Sequence, residues 1–336
     1  MTVRMKDIAD DLGVSLMTVS KALRNHTDIA EETRRRIRQR AQELKYEPNL
    51  VARSLVSKRT FLIGLIVPDM MHSFFAEVAK GVGNKLEPLG YQILISNSGE
   101  NAETEIRQIR LLRARGVDGL IIASAAVRAS SSLIELLNTR NVRYVLIDRV
   151  IPKLKANYVG VKDDEIGALA TEHLINQGCT RIAHLRGPMV STGKGRLVGY
   201  SRTLAKHGLQ VPPEYVLSGG NEDDTGYGAM RQLLRLTPRP DGVVCYNDPV
   251  AAGAIKAVLE SGLGVPRDVA IIGAGDVHYS DLLRVPLSTI NQSSLQIGET
   301  AAELLFKCMQ AKVPPPPKRI LFPPRLVERE SSRRLQ

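Results

Sequence analysis

From Phe61 onward the chain alternates apolar runs of strand length with amphipathic helical stretches, and few folds accept that rhythm. The runs are LIGLIV (62–67), YQILIS (91–96), GLIIAS (119–124), YVLID (144–148), RIAHL (181–185), GVVCY (242–246) and VAIIG (269–273). Helical periodicity fills the intervals near 74–87, 102–114, 131–139, 163–177, 194–207, 225–235, 250–261 and 294–310. Strands apolar at every position are buried on both faces, which predicts open parallel sheets with helices on either side. About 270 residues is more than one such sheet needs, so the expected fold class is α/β with two Rossmann-like lobes facing a cleft. Loops that hold ligands would lie at the carboxyl ends of the strands. Asn157 to Lys162 and Leu287 to Gln292 read as crossings between lobes, Pro314 to Pro317 precede a final strand, and Glu328 to Gln336 reads as a frayed polar tail.

Residues 6–25, KDIADDLGVSLMTVSKALRN, follow a different pattern. Ile8, Ala9, Leu12, Val14, Val19 and Leu23 recur at spacings that put them on the facing sides of two short helices. Gly13 falls where the chain must reverse within about 3–4 residues, a position that favours tolerance of positive φ. Ser15 reads as the N-cap of a helix from Leu16 to Asn25. Two helices joined in this way form a helix-turn-helix, whose second helix enters the major groove of DNA. Ala30 to Tyr46 reads as a third helix, with Glu31 and Glu32 in its first turn, Lys45 in its last, and an apolar stripe of Ile37, Ala41 and Leu44. Its run Arg34-Arg35-Arg36 with Arg38 and Arg40 suits a solvated helix face and a surface near phosphate equally well. Pro48 ends this unit, and Asn49 to Ser57 has the length of two helical turns, too short to stand alone in water.

Charge supports the DNA reading. The formal net charge is +11, and residues 1–60 hold 13 Lys/Arg against 8 Asp/Glu, so nearly half the basic excess lies in less than a fifth of the chain. Cys179, Cys245 and Cys308 are widely spaced with no C-x-x-C pair, as expected of buried thiols in a reducing cytoplasm. The first apolar run, Phe61 to Val67, is too short to span a bilayer, and no membrane association is expected. Catalytic motifs are missing. GPMVSTGKGR puts five residues between Gly187 and Gly193 and has Gly195 where a phosphate loop needs Ser or Thr. The GVG at 81–83 lies within a helical pattern and lacks a third glycine, and the six histidines show no metal spacing. No enzyme activity, cofactor or metal is expected.

Taken in order, these segments resemble the lactose/galactose-repressor (LacI/GalR) family over nearly the whole chain. KDIADDLGVSLMTVSKAL is similar to the family's DNA-binding signature and VARSL to its hinge. VPDMMHSFFAEV, DGLII, YVLIDR, HLRGP, GRLVGY, CYNDPVAAGAI, PLSTINQ and PRLVER are similar to its effector-domain landmarks. The resemblance implies a helix-turn-helix headpiece (1–47), a hinge helix and linker (48–60), a two-lobed periplasmic-binding-protein-like effector and dimerisation domain (61–330), and a tail (331–336). It implies a homodimer on a near-palindromic operator of double-stranded DNA, with one recognition helix in each half-site. A periplasmic sugar-binding protein would share the two lobes but lack residues 1–60.

The family match assigns residues as well. Leu16 and Met17 take the positions that touch base edges, where they would meet thymine methyls or the C5 edge of cytosine, and Lys21 would reach guanine O6 or a phosphate. Ser15, Thr18, Ser20 and Asn25 would set register on the backbone. Ala52 and Arg53 would line the minor groove, with Leu55 wedged into the central step. Arg4 departs from the threonine that commonly caps the family's first helix. In the effector domain, Arg196 matches the ligand-binding arginine, and Phe74 and Phe75 fall at the cleft-lining position, one of them belonging to the core. Asn247, Asp276, Asn221, Asp148 and Arg149 follow by landmark. His72-Ser73 replaces the family's Asn-Pro, and Ala274-Gly275-Asp276 replaces its Phe-Asp, which would displace the acidic contact by one residue. The family's purine-binding member stacks its base between two aromatic side chains, and one of those positions is Asn221 here, so a sugar or sugar derivative is the expected effector. Leu55→Ala should lower operator affinity strongly while leaving effector binding intact; an operator titration with unchanged affinity would refute the wedge.

Overall fold

A computed structural model of the chain describes residues 3–23, 26–47, 54, 59–138, 142–313 and 315–334. The chain divides into two compact units, Met1–Thr60 and Phe61–Gln336. Asn25, Ala52, Arg53 and Leu55 lie outside the described residues, as does nearly all of the expected hinge.

In the first unit, α1 (Met5–Leu12), α2 (Leu16–Leu23) and α3 (Glu31–Glu43) pack around Ile8, Ala9, Val19, Ala22, Ile37 and Ala41. Gly13 closes α1 in the left-handed region at φ 64°, which lets the chain reverse into α2. Arg4, the departure from the family's common threonine, still begins α1: the Asp7 carboxylate accepts from the Arg4 N–H at 2.8 Å, supplying half of a capping box. Arg40 on α3 donates to Asp11 on α1 at 2.6 Å and tethers the third helix to the first.

In the second unit all seven apolar runs form strands. The first lobe has a six-stranded parallel sheet built from β1 (Leu62–Val67), β2 (Gln92–Asn97), β3 (Gly119–Ile122), β4 (Arg143–Ile147), β5 (Tyr158–Val161) and β11 (Arg319–Phe322), in the order β11-β5-β4-β3-β1-β2. The second has β6 (Ile182–Arg186), β7 (Val216–Ser218), β8 (Gly242–Cys245) and β9 (Ala270–Ile272), parallel in the order β7-β6-β8-β9. A small antiparallel pair, β10 (Thr289–Asn291) with β12 (Arg325–Val327), joins them. Helices cover the sheets: α4 (Ser73–Leu86), α5 (Ala102–Ala114), α6 (Ser131–Asn138) and α11 (Ser294–Gln310) in the first lobe, α7 (Asp163–Asn176), α8 (Ser191–Lys206), α9 (Asp223–Leu233) and α10 (Asp248–Glu260) in the second. No helix among the described residues is long and apolar enough to cross a membrane.

Three helix pairs interlock through reciprocal glycines. A Cβ on Gly81 of α4 would strike the Leu295 carbonyl, and one on Gly298 of α11 would strike that of Val78. Gly167 and Gly199 face the carbonyls of Arg196 and Asp164 between α7 and α8, while Gly226 and Gly253 face those of Val250 and Asp223 between α9 and α10. Each pair packs backbone against backbone, closer than side chains allow.

Two expectations need correction. The segment 157–162 is not a bare crossing, since it contains β5, a full member of the first sheet. Nor is the end of the chain frayed up to Arg334. Ser331 and Ser332 are fully buried, because the Ile271 N–H donates to the Ser331 carbonyl at 2.8 Å and Ser331 Oγ returns a bond to the Ile271 carbonyl at 2.7 Å, adding a strand-like edge to β9. Ser332 Oγ lies 2.7 Å from His173 Nε2 and 2.6 Å from Ser288 Oγ. A polar segment is buried here because every hydroxyl finds a partner.

Gly199→Ala should cost at least about 2 kcal/mol of unfolding free energy, because the added methyl drives α8 off α7, whereas Gly228→Ala, with open space at its Cβ, should be neutral or slightly stabilising; equal melting temperatures for the two would refute the interlock. His184 on β6 is fully buried against the Tyr200 ring, and burial lowers its pKa to about 4 despite its bond to the Val244 carbonyl. Between pH 6.5 and 4 the unfolded chain therefore holds the extra proton, and stability falls as pH falls. The stability difference between the parent and His184→Gln should shift by about 2 kcal/mol in favour of the variant from pH 7 to pH 5, as read by denaturant titration.

Candidate functional site

On the helix-turn-helix, α2 buries Val19 and Ala22 and turns Leu16 and Met17 outward, 51% and 63% exposed. Ser15 Oγ accepts from the Thr18 N–H at 3.0 Å and shares a bond with Thr18 Oγ1 at 2.8 Å, so Ser15 is the N-cap. Thr18, Ser20 and Lys21 are half-buried. Lys21 Nζ pairs with Asp28 at 2.5 Å, which leaves two of its three N–H donors for other acceptors among the described residues. Three arginines of the α3 run are ion-paired within the unit. Arg34 pairs with Glu31 and donates to the His26 carbonyl at 3.1 Å, Arg35 pairs with Glu32 at 3.0 Å, and Arg40 bridges Asp11 and Glu43.

A cleft opens in the second unit, where the carboxyl ends of both sheets meet. Asp69, His72, Phe74 and Phe75 follow β1, Glu100 follows β2, and Asp148 and Arg149 follow β4. Across from them stand Arg196 of α8, Asn221 after β7, Tyr246 and Asn247 after β8, Ala274 after β9, and Gln292 after β10. Of the eight residues that the family match assigned to an effector, seven line this space. Phe74 and Phe75 both do so while also belonging to the core, which removes the need to choose between them.

Arg196 is the most thoroughly positioned. The contact of Gly167 with its backbone carbonyl sets α8 against the start of α7, where Asp163 accepts from Arg196 Nε at 3.2 Å. Its other nitrogens donate to the Tyr246 carbonyl at 2.5 Å and to Gln292 Oε1 at 2.9 Å, and the guanidinium lies over the Tyr246 ring at 4.7 Å. Among the described residues three of its five N–H groups find acceptors and two remain. Burial raises Asp163 to about 7 against the pull of Arg196, which tends to hold it ionised.

Arg149 and Glu100 form a bidentate pair at 2.6 and 2.7 Å, with the guanidinium almost wholly buried. Glu100 also accepts from Asn221 Nδ2 at 2.9 Å, which joins the lobes. His72 caps α4, its Nδ1 accepting from the Phe74 N–H at 3.2 Å, which leaves the ring proton on Nε2; Nε2 then lies in contact with, and not hydrogen-bonded to, Asn247 Nδ2 of the other lobe at 3.0 Å. Burial lowers the His72 pKa to about 4, leaving the ring neutral. Asn247 also caps α10 by accepting from the Val250 N–H, so its amide orientation is fixed. Asp148, in the left-handed region at φ 57°, has its carboxylate 3.5 Å from Arg149 Nε and no closer donor among the described residues. Burial raises its pKa, opposed by Arg149 and Arg196.

Asp276 is the exception. It does not line the cleft: its carboxylate accepts from Asn291 Nδ2 and from Arg329, each at 2.8 Å, and so ties β10 and the segment after β12 together at a crossing. Gly275 and Ala274 leave the cleft wall at that point without an acid. Sequence reasoning missed Asp69, Glu100, Tyr246 and Gln292 among the lining residues, and Glu100 bears most on the charge of the cleft. Its signal was available, since the turn Ser98-Gly99-Glu100-Asn101 follows a strand paired with β1, at the edge where such sheets hold ligands. Three cysteines are free and buried, and no group of acidic, histidine or cysteine side chains among the described residues could hold a metal.

Residues 4–49 match the family model described as bacterial regulatory proteins, lacI family, and residues 171–332 match the periplasmic binding protein-like domain. The chain is 30% identical to the HTH-type transcriptional regulator RegA of Clostridium saccharobutylicum, over 99% of this chain and all of that one. It is 34% identical to the HTH-type transcriptional repressor PurR of Pasteurella multocida, over 92% of each. Among solved structures it resembles the lac repressor dimer bound to operator and the anti-inducer ONPF (TM-score 0.85, 27% identity, 99% of each chain). It also resembles the transcriptional regulator CelR in complex with cellobiose (TM-score 0.74, 28% identity, 98% of this chain and 99% of that one). The chain therefore belongs to the lacI family of bacterial regulatory proteins, as a DNA-binding transcriptional repressor with an effector-binding domain.

Proposed function

We propose that this repressor acts in the cytoplasm as a homodimer on a near-palindromic operator, and that a sugar or sugar derivative held in the cleft governs its affinity for that DNA. One observation carries the choice of ligand: the buried carboxylate of Asp148 and the two unused N–H groups of Arg196 line one cleft with the apolar Phe74 and Phe75. A sugar hydroxyl both donates and accepts, so a ring bearing several of them needs acceptors and donors side by side, with an apolar surface for its C–H face. A purine would draw on stacking between two aromatic faces, and Asn221 is a polar partner of Glu100 instead. The relative solved with cellobiose supports the same class.

On the DNA side, Leu16 and Met17 are apolar side chains left exposed on an otherwise well-packed helix, which suits contact with thymine methyls. Ser15, Thr18, Ser20, Lys21 and Asn25 would fix register, and Ala52, Arg53 and Leu55 would enter the minor groove. Ligand binding between lobes that already touch through Glu100–Asn221 and His72–Asn247 would change how tightly they close, and operator affinity would change by the coupling free energy.

Footprinting on genomic fragments should reveal a symmetric protected site, and thermal shift against sugars should find a stabilising ligand. Arg196→Ala should abolish the response of operator binding to that ligand while leaving operator affinity in its absence within a few-fold. Arg196→Lys, which keeps the charge and loses the planar fork, should abolish it likewise. A retained response in both variants would overturn the assignment.

A further inference from the structure

Two arginines in a ligand cleft invite the expectation of an anionic ligand, such as a sugar acid or a sugar phosphate. The charges around them argue otherwise. Both nitrogens at the end of the Arg149 guanidinium are taken by Glu100, at 2.6 and 2.7 Å, and Arg196 faces Asp163 through Nε at 3.2 Å. Asp148 then adds a buried carboxylate beside Arg149, and Asp69 adds another at the wall. Two cations thus meet three carboxylates, with Asp69 at the wall besides. Even with Asp163 shared between its neutral and ionised forms, no positive charge is left unanswered. An incoming carboxylate or phosphate would bring a further negative charge into a cleft whose two guanidinium charges are already balanced, and a buried charge without a partner is strongly disfavoured.

Resting on the reading of the cleft as a sugar site, we propose that it accepts an uncharged polyhydroxyl ligand and rejects anionic ones, and that Glu100 enforces this choice by occupying Arg149. Asp148 is the acceptor offered to ligand hydroxyls. It is nine-tenths buried, and its only described donor is Arg149 Nε, itself buried without a hydrogen bond closer than that 3.5 Å approach. Hydroxyl donors supply what this carboxylate lacks, and an anionic group cannot. Glu100 also links to Asn221 across the cleft, so the residue that neutralises Arg149 is one that closing the lobes keeps in place.

The test uses the full chain and matched probes, with affinity read by calorimetry and thermal shift. Glucose, galactose, ribose and cellobiose are set against glucuronate, galacturonate, ribose 5-phosphate and cellobionate, with adenine, hypoxanthine and guanine beside their nucleotides. An uncharged sugar is expected to bind, with its anionic counterpart at least tenfold weaker. Glu100→Gln, which frees Arg149 while preserving shape, should narrow that gap tenfold or more by strengthening the anion. Glu100→Asp, too short to keep both contacts, should narrow it less, and serves where the glutamine variant fails to fold. Tighter binding of an anionic sugar to the parent protein overturns the inference and leaves a sugar-derived effector standing. An unchanged ratio in folded Glu100→Gln overturns the role of Glu100. Binding of purine bases alone, with their nucleotides excluded, overturns the sugar reading and supports the rejection of anions. Silence across all probes, with operator binding intact, counts against both.

Discussion

The close approach of α7 to α8 is the contact on which the rest of the cleft depends. Gly167 and Gly199 let the two backbones touch, and Gly195 leaves room for Asp163 beside the start of α8. Because the helices cannot separate by even one methyl group, Arg196 emerges at a fixed height above Asp163, and its remaining donors find the Tyr246 carbonyl and Gln292 without adjustment. Gly187 has a related role, since a side chain there would collide with the Tyr246 ring that underlies the guanidinium. A buried guanidinium is tolerable only when its neighbours are set in advance. Here backbone packing does the setting.

Each lobe brings a different part of the chemistry. The first supplies the carboxylates, as Asp69, Glu100 and Asp148, together with the paired phenylalanines. The second supplies amides and the free donors of Arg196. Contacts between Glu100 and Asn221, His72 and Asn247, and the Val150 N–H and Ser191 Oγ join the two sides. These are single polar contacts at the rim of a polar space. They are of the kind that exchanges for contacts with a ligand at small net cost, which is what an effector site between two lobes requires.

Most of this architecture was legible in the sequence, for a physical reason. Doubly buried strands such as LIGLIV and GLIIAS have a composition that few other elements share, and helices as long as α11 show their period plainly. The missed strands are short. The sequence YVGV of β5 and the three residues each of β7, β10 and β12 carry too few side chains for a pattern, and are strands because a neighbour offers a free edge. Landmark matching located seven cleft residues because strand ends fix where side chains emerge. It failed at Asp276, where Gly275 and the acceptor needs of Asn291 and Arg329 drew the carboxylate into a crossing. It missed Glu100 because no motif surrounds a loop glutamate whose partner, Arg149, lies 49 residues away in sequence. The buried Ser331 and Ser332 read as tail because only the tertiary partners of a polar residue tell a satisfied interior from a solvated end.

That last segment has a consequence in time. The helix-turn-helix unit ends at Thr60, whereas the second lobe is finished only when Ser331 seals the edge of β9 and Ser332 reaches His173. About 270 residues separate the two events, and a ribosome adding roughly 5–20 residues per second needs on the order of tens of seconds to cover them. A nascent copy thus holds its whole headpiece well before its effector-binding domain is complete, and that domain is the last part of the molecule to close.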